Sequence, residues 1–443
     1  MLSNKREMLV LFLGDVLLFV AALWVAIFLR NLMGPPFQHF SQHIIPFSIL
    51  FAAWVLVFYI ASLYEPHTVV LKSRIPAIIL NVQAVNSLIA VLFFYLIPYF
   101  GITPKVVLFL CLLISFVFIS AWRVFGTRFL GLRHKEKAAI FGEGEEMHEL
   151  YRVVNDNPLY PLRFVTSVDL TKLDGIDFES EVLERILSEE VSVIVVDSKN
   201  EHIAPILPRL YNLIFSHIRF VDQYRIYEDI FDKIPLSLIG YSWFLENVSS
   251  RAHFGFDLFK RAMDIVLASA LFILSLPLYP LIALGTAIFQ SGPVFFRQER
   301  VGKGNHLMLL IKFRTMSTED NADERTVTGY GEFLRKTRLD ELPQLWNVLH
   351  GELSLIGPRP EIPELVHRYT TEIPYYSMRH LVTPGLSGWA QVHHDNHPHH
   401  HADVEETKQK LSYDLYYLKN RSLALDIKIA LKTIKTLLSR TGI

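Results

Sequence analysis

Residues 265–289 read IVLASALFILSLPLYPLIALGTAIF, a run without a single charge that is long enough to cross a bilayer but is interrupted by Pro277 and Pro280. Proline removes a helical hydrogen bond and its ring clashes with the preceding turn, so a helix must kink or turn back there. Both flanks are basic, with Lys260 and Arg261 leading in and Arg297, Arg300 and Lys303 following. Basic loops stay on the cytosolic side, so the charge pattern puts both ends of the run on one face. The stretch therefore reads as a re-entrant membrane helix-break-helix over 260–289, turned at Pro277, with a kinked fifth span as the competing reading.

Toward the N-terminus lie four more apolar runs, at about 9–29, 44–63, 75–100 and 106–124, each close to the roughly 20 residues that a spanning helix needs. They lack the polar face that buried helices of a soluble protein show every third or fourth position. Lys5 and Arg6 precede the first run, Lys72 and Arg74 follow the second, and Arg123, Arg128, Arg133, Lys135 and Lys137 follow the fourth. Four spans with these loops inside put both termini, and everything after about residue 133, in the cytosol. Asp15, Asn81, Gln83 and Asn86 are the polar exceptions, expected to face other helices rather than lipid. The first run is too long for a signal peptide, and no small-residue cleavage site follows it.

The 443 residues are 51% hydrophobic and 20% charged with a mean hydropathy of +0.29, which excludes a disordered chain and a single small domain. A formal net charge of −1 gives no sign of a nucleic-acid partner. Cys111 is the one cysteine, so disulfide frameworks, cysteine zinc sites and redox pairs are excluded together.

From Lys137 the composition is that of a soluble domain. Ala138 to Phe141 reads as a strand running into Gly142-Glu143-Gly144-Glu145-Glu146-Met147, the strand, glycine turn and helix that open a dinucleotide-binding unit. Met147 stands where the third glycine belongs, and three glutamates crowd a position meant for pyrophosphate. A structural or regulatory Rossmann-like (CoA-binding-like) α/β domain over 134–250 is the expectation. A nucleotide-sugar dehydratase, which shares such a layout, needs a Tyr with a Lys four residues on, and no tyrosine here has one.

The chemistry centres on Arg335-Lys-Thr-Arg-Leu-Asp-Glu-Leu-Pro-Gln-Leu-Trp-Asn347. Asp340 is read as a helix N-cap with Pro343 in the first turn, a place where orphan N–H groups suit an anion. With Arg335 and Arg338 near, Asp340 is expected to stay ionised, as a carboxylate nucleophile must. Glu341 points about 100° further round a helix, leaving the two to divide nucleophile and metal-ligand roles.

An acid pair alone is commonplace in a chain with 44 acids, but its company is not: Lys260-Arg261 with Asp264, Lys312-Phe313-Arg314-Thr315-Met316, Gly357-Pro358-Arg359-Pro360, and Pro384-Gly385-Leu386-Ser387-Gly388-Trp389-Ala390-Gln391. In order and rough spacing these blocks, over about 259–438, resemble the bacterial sugar transferase family, the monotopic polyprenyl-phosphate phosphoglycosyl transferases. The membrane helices and middle domain resemble the large-form members that initiate exopolysaccharide or O-antigen synthesis. The resemblance implies a membrane protein with three parts: four N-terminal transmembrane helices (1–133), a Rossmann-like α/β domain (134–250), and a C-terminal α/β catalytic domain (251–443) with the re-entrant hairpin.

It further implies transfer of a sugar 1-phosphate from a UDP-sugar to undecaprenyl phosphate in the bacterial inner membrane. UMP leaves, magnesium assists, and a covalent phosphosugar forms on the aspartate. Carried over, Asp340 is the nucleophile, Glu341 its partner, and both carboxylates associate with magnesium. Lys312, Arg314, Arg335, Arg338 and Arg359 are the phosphate ligands, the last held in a stiff Pro-Arg-Pro loop that suits a planar guanidinium fork. Lys260, Arg261, Asp264 and Pro277 belong to the membrane hairpin, although Leu276 stands where many relatives have a serine. The competing reading is a non-catalytic membrane scaffold or sensor. His393, His394, His397 and His399, followed by His400 and His401, are not part of the family pattern; they read as a surface loop or a transition-metal site. The stretch 423–438 is a basic amphipathic helix, for a lipid surface or for its own domain. Which sugar is used, and whether the chain is a homo-oligomer, is left open.

Overall fold

The computed structural model describes residues 4–33, 39–61, 63–64, 75–96, 105–123, 135–157, 160, 162–171, 178–197, 200–216, 218–249, 254–290, 292–317, 326–393 and 403–439. The chain divides into two compact units, Met1–Asp229 and Ile230–Ile443. The domain boundary expected at 250 lies beyond that division.

The first unit opens with four apolar helices, α1 (Asn4–Leu32), α2 (Phe40–Ile60), α3 (Ile75–Leu96) and α4 (Lys105–Ala121). Among the described residues, Leu9–Leu32 and Phe40–Ile60 are long and apolar enough to cross a membrane, and Ile79–Tyr95 and Lys105–Ala121 are shorter apolar helices. They pack around an aromatic centre of Phe19, Phe47, Phe51, Trp54 and Phe58. Leu17, Trp24, Leu88 and Phe109 point outward and are mostly exposed, a pattern that suits lipid rather than water.

A chain of buried polar groups links three of these helices. Gln83 Nε2 donates to Ser115 Oγ (2.8 Å), Asn86 Nδ2 to Gln83 Oε1 (3.1 Å), and Trp54 Nε1 to the Asn86 carbonyl (3.1 Å). Asn81 departs from the expectation and is exposed. Arg123, read as a loop cation, is instead buried: it pairs with Asp15 and donates to the Leu63 carbonyl at 2.6 Å. Burying Asp15 without a partner costs far more than bending one flanking arginine inward. Lys72, Arg74, Arg128 and Arg133 lie outside the described residues.

Next comes a four-stranded parallel sheet of β1 (Glu136–Gly142), β2 (Leu162–Asp169), β3 (Val193–Val196) and β4 (Arg219–Asp222), in the order β2-β1-β3-β4. The turn after β1 passes through Gly144 at φ +80° into α5 (Gly144–Asp156). Met147, at the third-glycine position, is buried with Leu150 and Val154 as part of the core. A Cβ on Gly142 would lie 2.2 Å from Gln223 Oε1, so the open space at this glycine is filled by a side chain of the unit itself.

In the second unit, α6 (Phe254–Ser275) and α7 (Leu278–Phe289) are an apolar helix pair bent by 58° at the break, the geometry of a broken span or of a re-entrant loop. Pro277 sits at the start of α7, and Ser275 Oγ donates to the Phe272 carbonyl at 2.9 Å. Outward residues such as Val266, Leu274, Leu281 and Ile288 are largely exposed.

An antiparallel ribbon of β5 (Phe295–Val301) and β6 (Leu307–Phe313) follows, then α8 (Gly329–Lys336) and α9 (Gln344–His350). A short parallel pair, β7 (Ser354–Ile356) and β8 (Gly385–Ser387), brackets α10 (Pro363–Glu372). α11 (Trp389–His393), α12 (Val404–Asn420) and α13 (Leu423–Ser439) complete the unit. β7 and β8 bring two sequence blocks together, with Gly357 N donating to the Ser387 carbonyl (2.8 Å) and Gly385 N to the Pro358 carbonyl (2.9 Å). On α13 the lysines turn inward: Lys428 and Lys432 lie 4.7 and 5.2 Å from the centre of the Trp389 ring.

Candidate active site

The turn after α8 decides where the acids point. Arg338 adopts a left-handed conformation (φ +56°), which for a residue with a Cβ costs about 1–2 kcal/mol. It reverses the chain into a single tight turn, Leu339–Glu341, ahead of α9. Asp340 is therefore not an N-cap: no side-chain cap bond forms, and the residue preceding α9 is Pro343.

The two acids occupy different environments. Glu341 Oε1 accepts from Arg359 Nη2 at 3.2 Å and from Arg338 Nη1 at 3.4 Å, with Lys312 Nζ at 3.8 Å. Burial pushes its carboxyl up, but Arg359, Lys312 and Arg338 together outweigh that and hold it down to about 2. Asp340 is 7% exposed, and its Oδ1 is buried without a hydrogen-bond partner among the described residues. Burial, and then the Glu341 charge, raise it to about 6 against the pull of Lys312, Arg338 and Arg335. That direction is opposite to the one expected of a helix N-cap, yet the group is still mainly ionised at pH 7. Lys312, desolvated on β6, is pushed down to about 8 despite Glu341.

Of the expected phosphate ligands, Lys312, Arg338 and Arg359 converge on Glu341. Arg335 Nε donates to Thr315 Oγ1 at 2.9 Å, with its charge close enough to act on Asp340. Arg314 does not join them: its Nε donates to the Pro293 carbonyl at 2.9 Å. Sequence reasoning took Arg300 only for a membrane flank, but on β5 it reaches the Pro360 carbonyl (3.3 Å) and Glu361 (3.6 Å). No local spacing announces a contact between residues sixty apart.

The hairpin block is structural. Lys260 pairs with buried Asp426 at 2.7 Å, and Arg261 donates to the Val348 and Leu349 carbonyls at the end of α9 (2.6 and 2.7 Å). Asp264 accepts from Ser354 Oγ (2.7 Å) and Leu355 N (3.2 Å). These three fasten α6 to α13, to β7 and to α9, the helix that follows the acid-bearing turn.

His393 is the only member of the histidine run among the described residues; His394, His397, His399, His400 and His401 lie outside them. Its ring stacks on Tyr413, and Nε2 lies 2.9 Å from Lys432 Nζ. No group of three or more His, Cys, Asp or Glu fit to hold a metal occurs among the described residues.

A family model described as bacterial sugar transferase matches residues 256–440. A UDP-glucose:undecaprenyl-phosphate glucose-1-phosphate transferase of Caulobacter vibrioides is 40% identical over 191 residues, which cover 41% of this chain and 71% of that protein. The chain belongs to the bacterial sugar transferase family. Another member, a UDP-N-acetylgalactosamine-undecaprenyl-phosphate N-acetylgalactosaminephosphotransferase of Aeromonas hydrophila, is 45% identical over 195 residues, 41% of this chain and 44% of its own length. An undecaprenyl-phosphate glucose phosphotransferase of Komagataeibacter xylinus is 31% identical over 364 residues, 76% of this chain and 66% of its own length. This family member spans 37–44% of the length of the first curated relatives that it matches.

Proposed function

We propose that the protein transfers a sugar 1-phosphate from a UDP-sugar to undecaprenyl phosphate, as the first membrane step of exopolysaccharide, O-antigen or capsule synthesis. The relatives' names support the substrate classes. The observation that carries the reading is the division of labour in the acid pair: Glu341 gathers three cations on Oε1, and Asp340 keeps a buried carboxylate oxygen unpartnered among the described residues.

In this reading an Asp340 oxygen attacks the sugar-bearing phosphorus, the bond to the bridging oxygen breaks, and UMP leaves with the electron pair. An oxygen of undecaprenyl phosphate then attacks the same phosphorus, and the acyl–phosphate bond breaks to return Asp340. Lys312, Arg338 and Arg359 offset the charge of the diphosphate that would otherwise repel the nucleophile, and Arg335 adds its field. Two carboxylates plus substrate phosphates form a usual oxygen set for magnesium, so Asp340 and Glu341 are the residues that would hold it. Once bound, the ion would neutralise diphosphate charge. The four apolar helices are read as spans, and α6–α7 as re-entrant, with the catalytic unit on the cytoplasmic face of the inner membrane.

The test is UMP release from a panel of UDP-sugars by membranes carrying the full chain, with undecaprenyl phosphate and magnesium. Asp340→Asn should lower turnover by about a thousandfold or more while leaving the protein folded, and EDTA should stop the wild type until magnesium is restored. Near-wild-type UMP release by Asp340→Asn, with no acid-sensitive label from the sugar on the wild-type chain, sinks the covalent mechanism.

A further inference from the structure

Arg359 works only if its guanidinium is held in place, and the backbone around it is clamped residue by residue. Pro358 and Pro360 on either side have fixed φ and no N–H to give. The three successive carbonyls each accept a bond from outside the loop: Arg359 O from Arg379 Nη2 (2.8 Å), Pro360 O from Arg300 Nη1 (3.3 Å) and Glu361 O from Val301 N (2.9 Å). Arg379 is the most deeply committed of these donors. It lies in the turn Tyr376–Leu381, is 6% exposed, pairs with Asp414 of α12 at 2.8 Å and donates to Tyr376 Oη at 2.7 Å. Its guanidinium also lies 5.2 Å from the Tyr376 ring centre.

We infer that Arg379 is a positioning residue for the transfer reaction: anchored by Asp414 and Tyr376, it holds the Arg359 backbone so that the Arg359 guanidinium stays beside Glu341. This rests on the reading of Arg359 as a ligand of the substrate diphosphate. Arg379 itself is packed behind the loop and touches no reacting atom. A guanidinium is needed because one planar fork donates to a phenol and a carbonyl while its charge pairs with Asp414, whereas a lysine ammonium keeps the charge for Asp414 but not the two bonds in fixed directions. Arg379→Lys is therefore the informative change, since removing the charge would strand Asp414 in the interior.

The experiment is a double-mutant cycle on the full chain in membranes, with Arg379→Lys and Arg359→Lys alone and combined, reading UMP release against UDP-sugar concentration. Arg359→Lys should lower kcat/KM by about a hundredfold. Arg379→Lys should lower it about tenfold, chiefly by raising the KM for the UDP-sugar, and should change it less than about twofold in the Arg359→Lys background. A merely structural loss would reduce the amount of active enzyme and leave KM alone. Losses that multiply in the double variant, or an unchanged KM in Arg379→Lys, overturn the inference while leaving Arg359 its role. Full activity of Arg359→Lys overturns the phosphate reading itself, and this inference with it. Should Arg379→Lys fail to fold, the same cycle run with Tyr376→Phe, which removes one anchor and no charge, measures the same coupling through a smaller rise in KM.

Discussion

Asp340 and Glu341 are neighbours in sequence, yet a left-handed Arg338 and a single tight turn give Glu341 three cations and leave a buried oxygen of Asp340 without a partner among the described residues. The identity of the pair was legible in the sequence; the allocation of partners was not, because it depends on where β6 and the Arg359 loop come to lie. A second side chain shows the same limit. His393 opens a run that looks like a metal loop, but burial first, and then the Lys432 charge, push its imidazole down to about 4 from an ordinary 6.5. The unfolded chain therefore binds a proton that the folded chain does not between about pH 6.5 and 4, so this imidazole's own contribution to stability falls as the pH is lowered through that window. We expect acidification from pH 7 to pH 5 to lower the thermal midpoint of the detergent-solubilised wild type relative to that of His393→Gln. An unchanged difference between the two would mean that His393 titrates normally.

At the scale of elements, the organising contact is backbone on backbone. A Cβ on Gly385 of β8 would lie 2.1 Å from Gly357 N, and neither chain has room to yield. Gly385→Ala should destabilise the C-terminal unit by more than about 2 kcal/mol, whereas Gly255→Ala, at a position with nothing within 4 Å, should be nearly silent in the same melting experiment. Pattern reading found both glycine blocks but not their parallel pairing across β7 and β8, a non-local contact with no periodicity to reveal it. The break between α6 and α7 was more legible, since prolines are local signals. We expect cysteines at Glu246 and Lys303, in a Cys111→Ser background, to react with a membrane-impermeant maleimide only after cells are opened. Labelling of the Lys303 site alone in intact spheroplasts would establish a fifth span.

At the scale of the whole molecule, one compact unit holds the four apolar helices and the parallel sheet, and the other holds the bent apolar pair and the acid-bearing turn. The sheet keeps the outline of a dinucleotide fold but fills its glycine turn with Gln223 and its third-glycine position with Met147. Calorimetry of the full chain should accordingly show no saturable NAD binding at micromolar concentrations; tight binding would return redox chemistry to the molecule. Composition placed a domain boundary near residue 250, whereas the two units divide after Asp229, and the inward turn of Arg123 was invisible because a flanking arginine looks the same whether it faces water or a buried aspartate. That pairing constrains how the protein is made. Asp15 leaves the ribosome with α1, and its counter-charge follows 108 residues later. At translation rates of about 5–20 residues per second, the first helix waits for about 5–20 seconds with an uncompensated carboxylate. The order of synthesis thus leaves the Asp15 carboxylate without this counter-charge until the residue just past α4 has been made, so the first helix can reach its final packing only after the fourth is complete.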